Sequence, residues 1–157
     1  MFVANYPLPP SENALYRNVP KVGRVSTKEF KQYKKDCEEW GFNNKDIKVV
    51  FRELWDKSWD KCSAFDFGYF FVFKRERIFC KDGMPKRLDA ANRIKAVQDQ
   101  FCLYLGIDDK FIFSNYCEKV LGEQEGVYIV IRPTIARTSM EVLEEFSLTH
   151  EIASLEN

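Results

Sequence analysis

The sequence predicts an α+β domain: a mixed β-sheet with helices packed on it. Three observations carry that expectation. Residues 65–80, 110–121 and 127–133 are runs rich in aromatic and β-branched side chains, the signature of strands. Around them, apolar residues recur at helical spacing. Strands and helices also follow one another without the strict alternation that an all-parallel sheet requires. At 157 residues the chain reads as one domain with a core of its own.

Taken in order, the opening YPLPPSENALYRNVP carries four prolines and reads as an extended segment followed by a loop. The tetrapeptide S-T-K-E is a capping box, with Ser26 as N-cap and Glu29 three residues on. Phe30, Tyr33, Cys37 and Trp40 continue at helical spacing, Gly41 can end that helix, and the intervening lysines give it a basic outer face. KVVFREL (48–54) reads as a strand, and WDKSWDKCS as a turn region with two exposed-looking tryptophans, Trp55 and Trp59, for which core or dimer contacts are favoured over a DNA contact. The run 65–80 reads as the central strand, and KDGMPKR as the loop into a helix that starts at Asp89. KFIFSNYCEKVL (110–121) is a strand, Glu123 to Gly126 a turn, and VYIVIRP another strand closed by Pro133. SMEVLEEFSLTHEIASL reads as an acidic amphipathic helix, so that 134–157 forms an extension to a domain at 1–133.

Composition narrows the function. No apolar run approaches the roughly 20 residues that span a membrane, and the N-terminus lacks the basic and apolar regions of a secretory signal. The five cysteines at 37, 62, 80, 102 and 117 form no C-x-x-C pair, and His150 is the only histidine, which argues against zinc. Buried free thiols in a reducing cytoplasm are the expectation. A metal here would be held through oxygen, pointing to Mg²⁺ or Mn²⁺. Net charge is zero, yet residues 1–35 carry seven Lys/Arg against two acids and residues 74–95 eight against three. Basic zones in a neutral chain fit an anionic partner such as nucleic acid. Solvated surface charge accounts for composition alone equally well.

The stretch RLDAANRIKAVQDQF concentrates the chemistry. Advancing 100° per residue from Asp89 puts Asn92, Lys95 and Asp99 on one side and Ala90, Ile94, Val97 and Phe101 on the other. Asp89 is also a good N-cap. A plain cap, a loose Lys95–Asp99 pair and a solvated Asn92 explain the same residues. In LGIDDK, Gly106 fits a helix end, and Asp108 with Asp109 fits a turn. Two carboxylate sources near basic loops also suit a magnesium site acting on phosphates.

Order and spacing add a resemblance. PLPPSENALYR with GRVSTKEFKQY, then RLDAANRIKAVQDQF, then GIDD before a strand resemble three blocks of the RusA family of Holliday-junction resolvases. Together they cover roughly residues 6 to 132. The resemblance implies a RusA-like fold and a metal-dependent endonuclease that cuts branched DNA at four-way junctions as a homodimer. It implies that Asp89 and Asp109, assisted by Asp108, hold Mg²⁺ or Mn²⁺, that Lys95 is the catalytic lysine and that Asn92 orients a ligand or the phosphate. Asp99 corresponds to the aspartate one turn beyond the lysine. Asn13, Tyr16 and Arg17 would lie near the DNA path, with Arg24, Lys86 and Arg87 gripping the backbone. The chain departs from the pattern at Ala91, where the family has a second aspartate.

That blank position supports a rival expectation, a RusA-like protein that binds branched or origin DNA with weak or no cleavage. A third reading assigns the function to the extension, whose Met140, Val142, Leu143, Phe146, Leu148, Ile152 and Leu155 would pack on a partner subunit or on the protein's own core.

Overall fold

The computed structural model describes residues 2–11, 14–58 and 64–145. Its main sheet has four strands in the order β1 (Phe2–Tyr6), β6 (Gly126–Thr134), β4 (Ala64–Phe73), β5 (Ile112–Leu121). β6 is antiparallel to both neighbours, and β5 is parallel to β4. A parallel pair needs a crossover, which here runs through α3 (Arg75–Ile78), a long loop and α4 (Ile94–Leu105). A separate hairpin pairs β2 (Tyr16–Val19) with β3 (Gly23–Ser26), and α1 (Lys28–Asn43) and α2 (Lys45–Ser58) follow it. The domain is therefore α+β with a mixed sheet.

One face of the sheet makes the core. The period of two along β4 buries Phe65, Phe67, Tyr69, Phe71 and Phe73 on that side, joined by Val127, Ile129 and Ile131 of β6 and by Ala4 and Tyr6 of β1. The helices cover them. Phe101 of α4 meets Tyr6 edge-on at 5.0 Å, and Trp40 of α1 meets Tyr6 at 4.7 Å. Such pairs contribute about 0.5–1.5 kcal/mol each beyond the area they bury. On the opposite face, Val3, Tyr116 and Tyr128 stay exposed.

Five local expectations change. Residues 48–54 are helical, not a strand: in α2 the inward residues Phe51, Leu54, Trp55 and Ser58 follow a helical period, while the β-branched Val49 and Val50 face solvent. Trp55 lies in α2 and not in a turn, and it makes the favoured core contact, its ring packing 5.2 Å from Phe65 and 5.0 Å from Phe111; Trp59 lies outside the described residues. The loop expected to follow the extended start of the proline-rich opening contains β2, the first strand of the hairpin, at Tyr16–Val19. The N-cap of α1 is Thr27, not Ser26: Phe30 N–H donates to Thr27 Oγ1 at 3.2 Å, and the Thr27 hydroxyl also donates to the Ala14 carbonyl. Gly41 does not end α1, which runs on to Asn43.

The extension begins as expected. Residues 139–145 are helical and exposed. Thr138 and Glu141 form a capping box, with Glu141 Oε2 accepting from Thr138 N–H at 2.7 Å and Thr138 Oγ1 accepting from Glu141 N–H at 3.3 Å. Phe146, Leu148, His150, Ile152 and Leu155 lie outside the described residues. Among the described residues, no helix is long and apolar enough to cross a membrane.

Candidate nucleic-acid and metal site

The loop before α4 folds its end into a short 3-10 turn, Ala91–Arg93. Asp89 sets that turn: its Oδ1 accepts from the Asn92 N–H at 3.3 Å. The capping role expected of Asp89 is thus met, one turn ahead of the α-helix proper. Asp89 stays exposed and lines an open groove of about 440 Å³ together with Lys86, Arg87, Ala91, Cys117 and Lys119. Lys119 Nζ donates to the Leu88 carbonyl at 3.2 Å, tying β5 to the residue just before Asp89. Lys86 Nζ donates to the Glu76 carbonyl at 2.6 Å. The Cys117 thiol is pushed up by burial and then by the Asp89 charge, and Lys119 pulls it back down. The structure therefore brings Lys86, Arg87 and Asp89 together as the sequence suggests. It adds Lys119 and Cys117, and it places Ala91 on the wall where a second acid would stand.

Lys95 and the later acids form a different group. Lys95 Nζ binds Asp99 Oδ1 at 2.8 Å, one helical turn toward the C-terminus. That hydrogen bond, then the Asp99 and Asp109 charges, holds the ammonium pKa above its ordinary value. Cys102, on the same helix, is pushed up to about 12, first by burial and then by Asp109, Asp99 and Asp108. Asp108 caps a second 3-10 turn, Asp109–Phe111, accepting from Lys110 N–H at 3.0 Å. That backbone bond holds its carboxyl below the usual range.

Topology keeps the two groups apart. Asp89 precedes α4 and Asp109 follows it, and a helix of 12 residues is about 18 Å long. β5 gives a second ruler. Asp109 lies before its first residue, Ile112, whereas the groove uses Cys117 and Lys119 five and seven residues further along, about 16–23 Å of strand. The groove that holds Asp89 is accordingly not lined by Asp108 or Asp109. Among the described residues, no three His, Cys, Asp or Glu side chains gather to hold a metal. What the groove offers a hard cation is the free oxygen of Asp89. Magnesium keeps most of its waters and takes one or two carboxylates plus substrate phosphates, so this donor set fits an ion that substrate completes, not a protein cage.

The remaining expected residues fall on the hairpin. Tyr16 pairs with Ser26 and Arg17 with Val25. The Arg24 guanidinium lies 4.2 Å from the Tyr16 ring centroid, and the other side of Tyr16 meets Phe30 at 5.4 Å. Tyr16 is thus anchored to α1 while presenting a cation at the surface. Arg17 is exposed beside it, and Asn13 lies outside the described residues.

Arg93 was missed. It is 7% exposed, donates through Nη1 to the Pro9 carbonyl, and packs against the Phe73 ring at 5.6 Å. Burial, then Arg77, pulls its pKa down. The wheel held the signal: 100° per residue from Asp89 places Arg93 at about 40°, beside the apolar stripe. Its role here is to pin the PLPP segment to the start of α4. No model of a known protein family matches the chain, and no curated protein matches it.

Proposed function

We propose that the chain is a metal-dependent endonuclease with a RusA-like fold, hydrolysing phosphodiester bonds in branched DNA as a homodimer. The observation that carries this reading is the groove in which an exposed Asp89 is surrounded by Lys86, Arg87 and Lys119. Three cations around one carboxylate suit a phosphate backbone and a divalent ion together, with the phosphate completing the ion's ligand set. The three sequence blocks point to the same chemistry, and the hairpin adds Tyr16 with Arg24 on one face and Arg17 on the other as further contacts for the strand.

In this mechanism Asp89 would hold Mg²⁺ or Mn²⁺, with its carboxylate fixed by the Asn92 N–H. The ion would supply polarisation of the phosphate and activation of the attacking water. Lys86 and Arg87 hold the backbone at the groove mouth, and each phosphate they neutralise steepens the salt dependence by about 0.9 in log–log slope. Lys95 and Asp109, in the neighbouring group, extend the charged surface along α4. A four-way junction has two-fold symmetry, and a C2 dimer presents two such grooves to it.

The test is cleavage of a synthetic four-way junction in Mg²⁺ or Mn²⁺, with Asp89→Asn beside the wild type. Nicking that needs both the ion and Asp89 supports the proposal. Binding without nicking by the wild type removes the enzymatic reading.

One observation favours a second reading, a branched-DNA-binding protein with weak cleavage: Ala91 leaves a methyl group on the groove wall, and among the described residues that line it Asp89 is the single carboxylate. Ala91→Asp separates the two readings. A gain in rate of tenfold or more marks a native site short of one ligand, whereas an unchanged rate in a cleaving enzyme marks a site complete without it.

A further inference from the structure

The expected catalytic lysine, Lys95, is turned away from Asp89. Its ammonium is bound to Asp99 at 2.8 Å, further along α4, and it is not among the residues that line the Asp89 groove. Two lysines line that groove, of which Lys86 turns its Nζ to the Glu76 carbonyl at 2.6 Å, on the lining of a neighbouring pocket. Lys119 stands on β5 opposite Phe71 of β4, and its Nζ reaches the carbonyl of Leu88, the residue immediately before Asp89. The three protons of an ammonium give it two donors beyond the one spent on Leu88. No carboxylate neutralises it in the way Asp99 neutralises Lys95: the salt bridges of the described residues include Lys95–Asp99 but none to Lys119. Its neighbour Cys117, on the same face of β5, lines the same groove.

We propose that Lys119, not Lys95, is the lysine that contacts the scissile phosphate at the Asp89 groove. This rests on the endonuclease reading and sharpens it by naming the cation of the site. Lys119 comes from a strand of the sheet and not from the helix that carries Asp89. Carboxylate and cation therefore reach the groove from different elements, where both can meet one phosphate. As an exposed cation beside the reacting group it stabilises charge that develops on the phosphate oxygens, whereas Lys95 is partly neutralised before substrate arrives.

The experiment measures single-turnover cleavage of a four-way junction in Mn²⁺ by wild type, Lys119→Met, Lys119→Arg, Lys119→Ala and Lys95→Met, with junction affinity measured separately in Ca²⁺. The expected result is a loss of about 100-fold in cleavage rate for Lys119→Met, against a change in affinity of less than about fivefold. Lys119→Arg keeps most of the rate, and added ethylammonium restores part of it to Lys119→Ala, which a merely structural lysine would not allow. Lys119→Met falls further than Lys95→Met. If Lys119→Met cleaves like the wild type while Lys95→Met is inactive, the assignment is overturned and the endonuclease reading stands. If the thermal midpoint of Lys119→Met drops and ethylammonium rescues nothing, Lys119 only holds the Leu88 loop and the assignment again fails. Absence of cleavage by the wild type overturns both.

Discussion

Asp89 has two jobs that substitution can separate. Its Oδ1 caps the 3-10 turn by accepting from Asn92 N–H, and its charge faces Lys86, Arg87 and Lys119 across the groove. Asparagine caps as well as aspartate but carries no charge, and alanine does neither. The cap is long, at 3.3 Å, and exposed, so its loss belongs near the low end of measured N-caps, about 0.5–1 kcal/mol. In a domain of this size that lowers Tm by about 2–3 °C in Asp89→Ala and by less than about 1 °C in Asp89→Asn. Charge removal is shared by both variants. Junction binding without divalent ions should tighten about two- to fivefold at low salt, because an acid among three cations opposes the phosphates, and this gain should vanish near 0.5 M salt. Cleavage should fall by at least about 100-fold in both. Differential scanning fluorimetry, fluorescence anisotropy and gel-based cleavage read the three effects independently. An Asp89→Asn protein that cleaves at the wild-type rate, or whose Tm falls as far as that of Asp89→Ala, refutes the division of labour argued here.

Three further outcomes follow from the packing and the charges. Lys95→Met should leave Tm within about 1–2 °C of the wild type, because its partner Asp99 is 46% exposed and such helical pairs contribute only about 0.3–0.5 kcal/mol; thermal melts check it. Gly41→Ala should destabilise, since its Cβ would stand 2.8 Å from Tyr104 Cδ2 and 3.0 Å from Cε2, while Tyr104 Oη is tied to the Asn44 carbonyl at 2.6 Å. Overpacking of about 1–3 kcal/mol exceeds the roughly 1 kcal/mol helix gain, and urea unfolding should show the midpoint recovering when Tyr104→Leu is added. Asp108 has a folded pKa below its unfolded one, so its contribution is complete above the unfolded value and lost as pH falls through the folded value. Asp108→Asn should therefore lose less stability than the wild type on acidification below about pH 4, read as the urea midpoint against pH.

Much of the fold was legible because pattern and packing agree. The runs at 65–73 and 127–133 alternate inward aromatics and aliphatics with the period of a strand, and β4 and β6 bury those residues, but the strand expected to run to residue 80 ends at Phe73 and Arg75–Ile78 form α3 instead. Val97 and Phe101 face the core as the helical wheel requires. Residues 48–54 were misread because Val49-Val50-Phe51 is a short apolar run that fits either period. The deciding residues, Trp55 and Ser58, come afterwards, and only with them does the helical spacing emerge. The β2–β3 hairpin was hidden by its turn. Val22 N–H bonds the Val19 carbonyl across Pro20 and Lys21, and Lys21 takes φ 62°, a place where glycine or asparagine is the usual signal.

The site was legible in its residue types and not in its assembly, for a reason set by the sheet. Once β4 and β5 are parallel, the crossover helix must run back along the sheet, so its two ends lie at opposite ends of the strands. Asp89 at the start of α4 and Asp109 past its end are close in the pattern of a motif and distant in space. A groove at the start of α4 can draw its other groups only from the carboxyl-terminal halves of β4 and β5, which is where Cys117 and Lys119 originate. Those two residues have no helical spacing to Asp89 and sit within an edge strand that reads as ordinary alternation. The same geometry makes the strand register a functional variable. Sliding β5 by one residue would turn Lys119 to the other face of the sheet and bring Glu118 to the groove, reversing the charge opposite Asp89. The pairing of Lys119 with Phe71 and of Cys117 with Tyr69 therefore belongs to the chemistry of the groove as much as to the stability of the sheet.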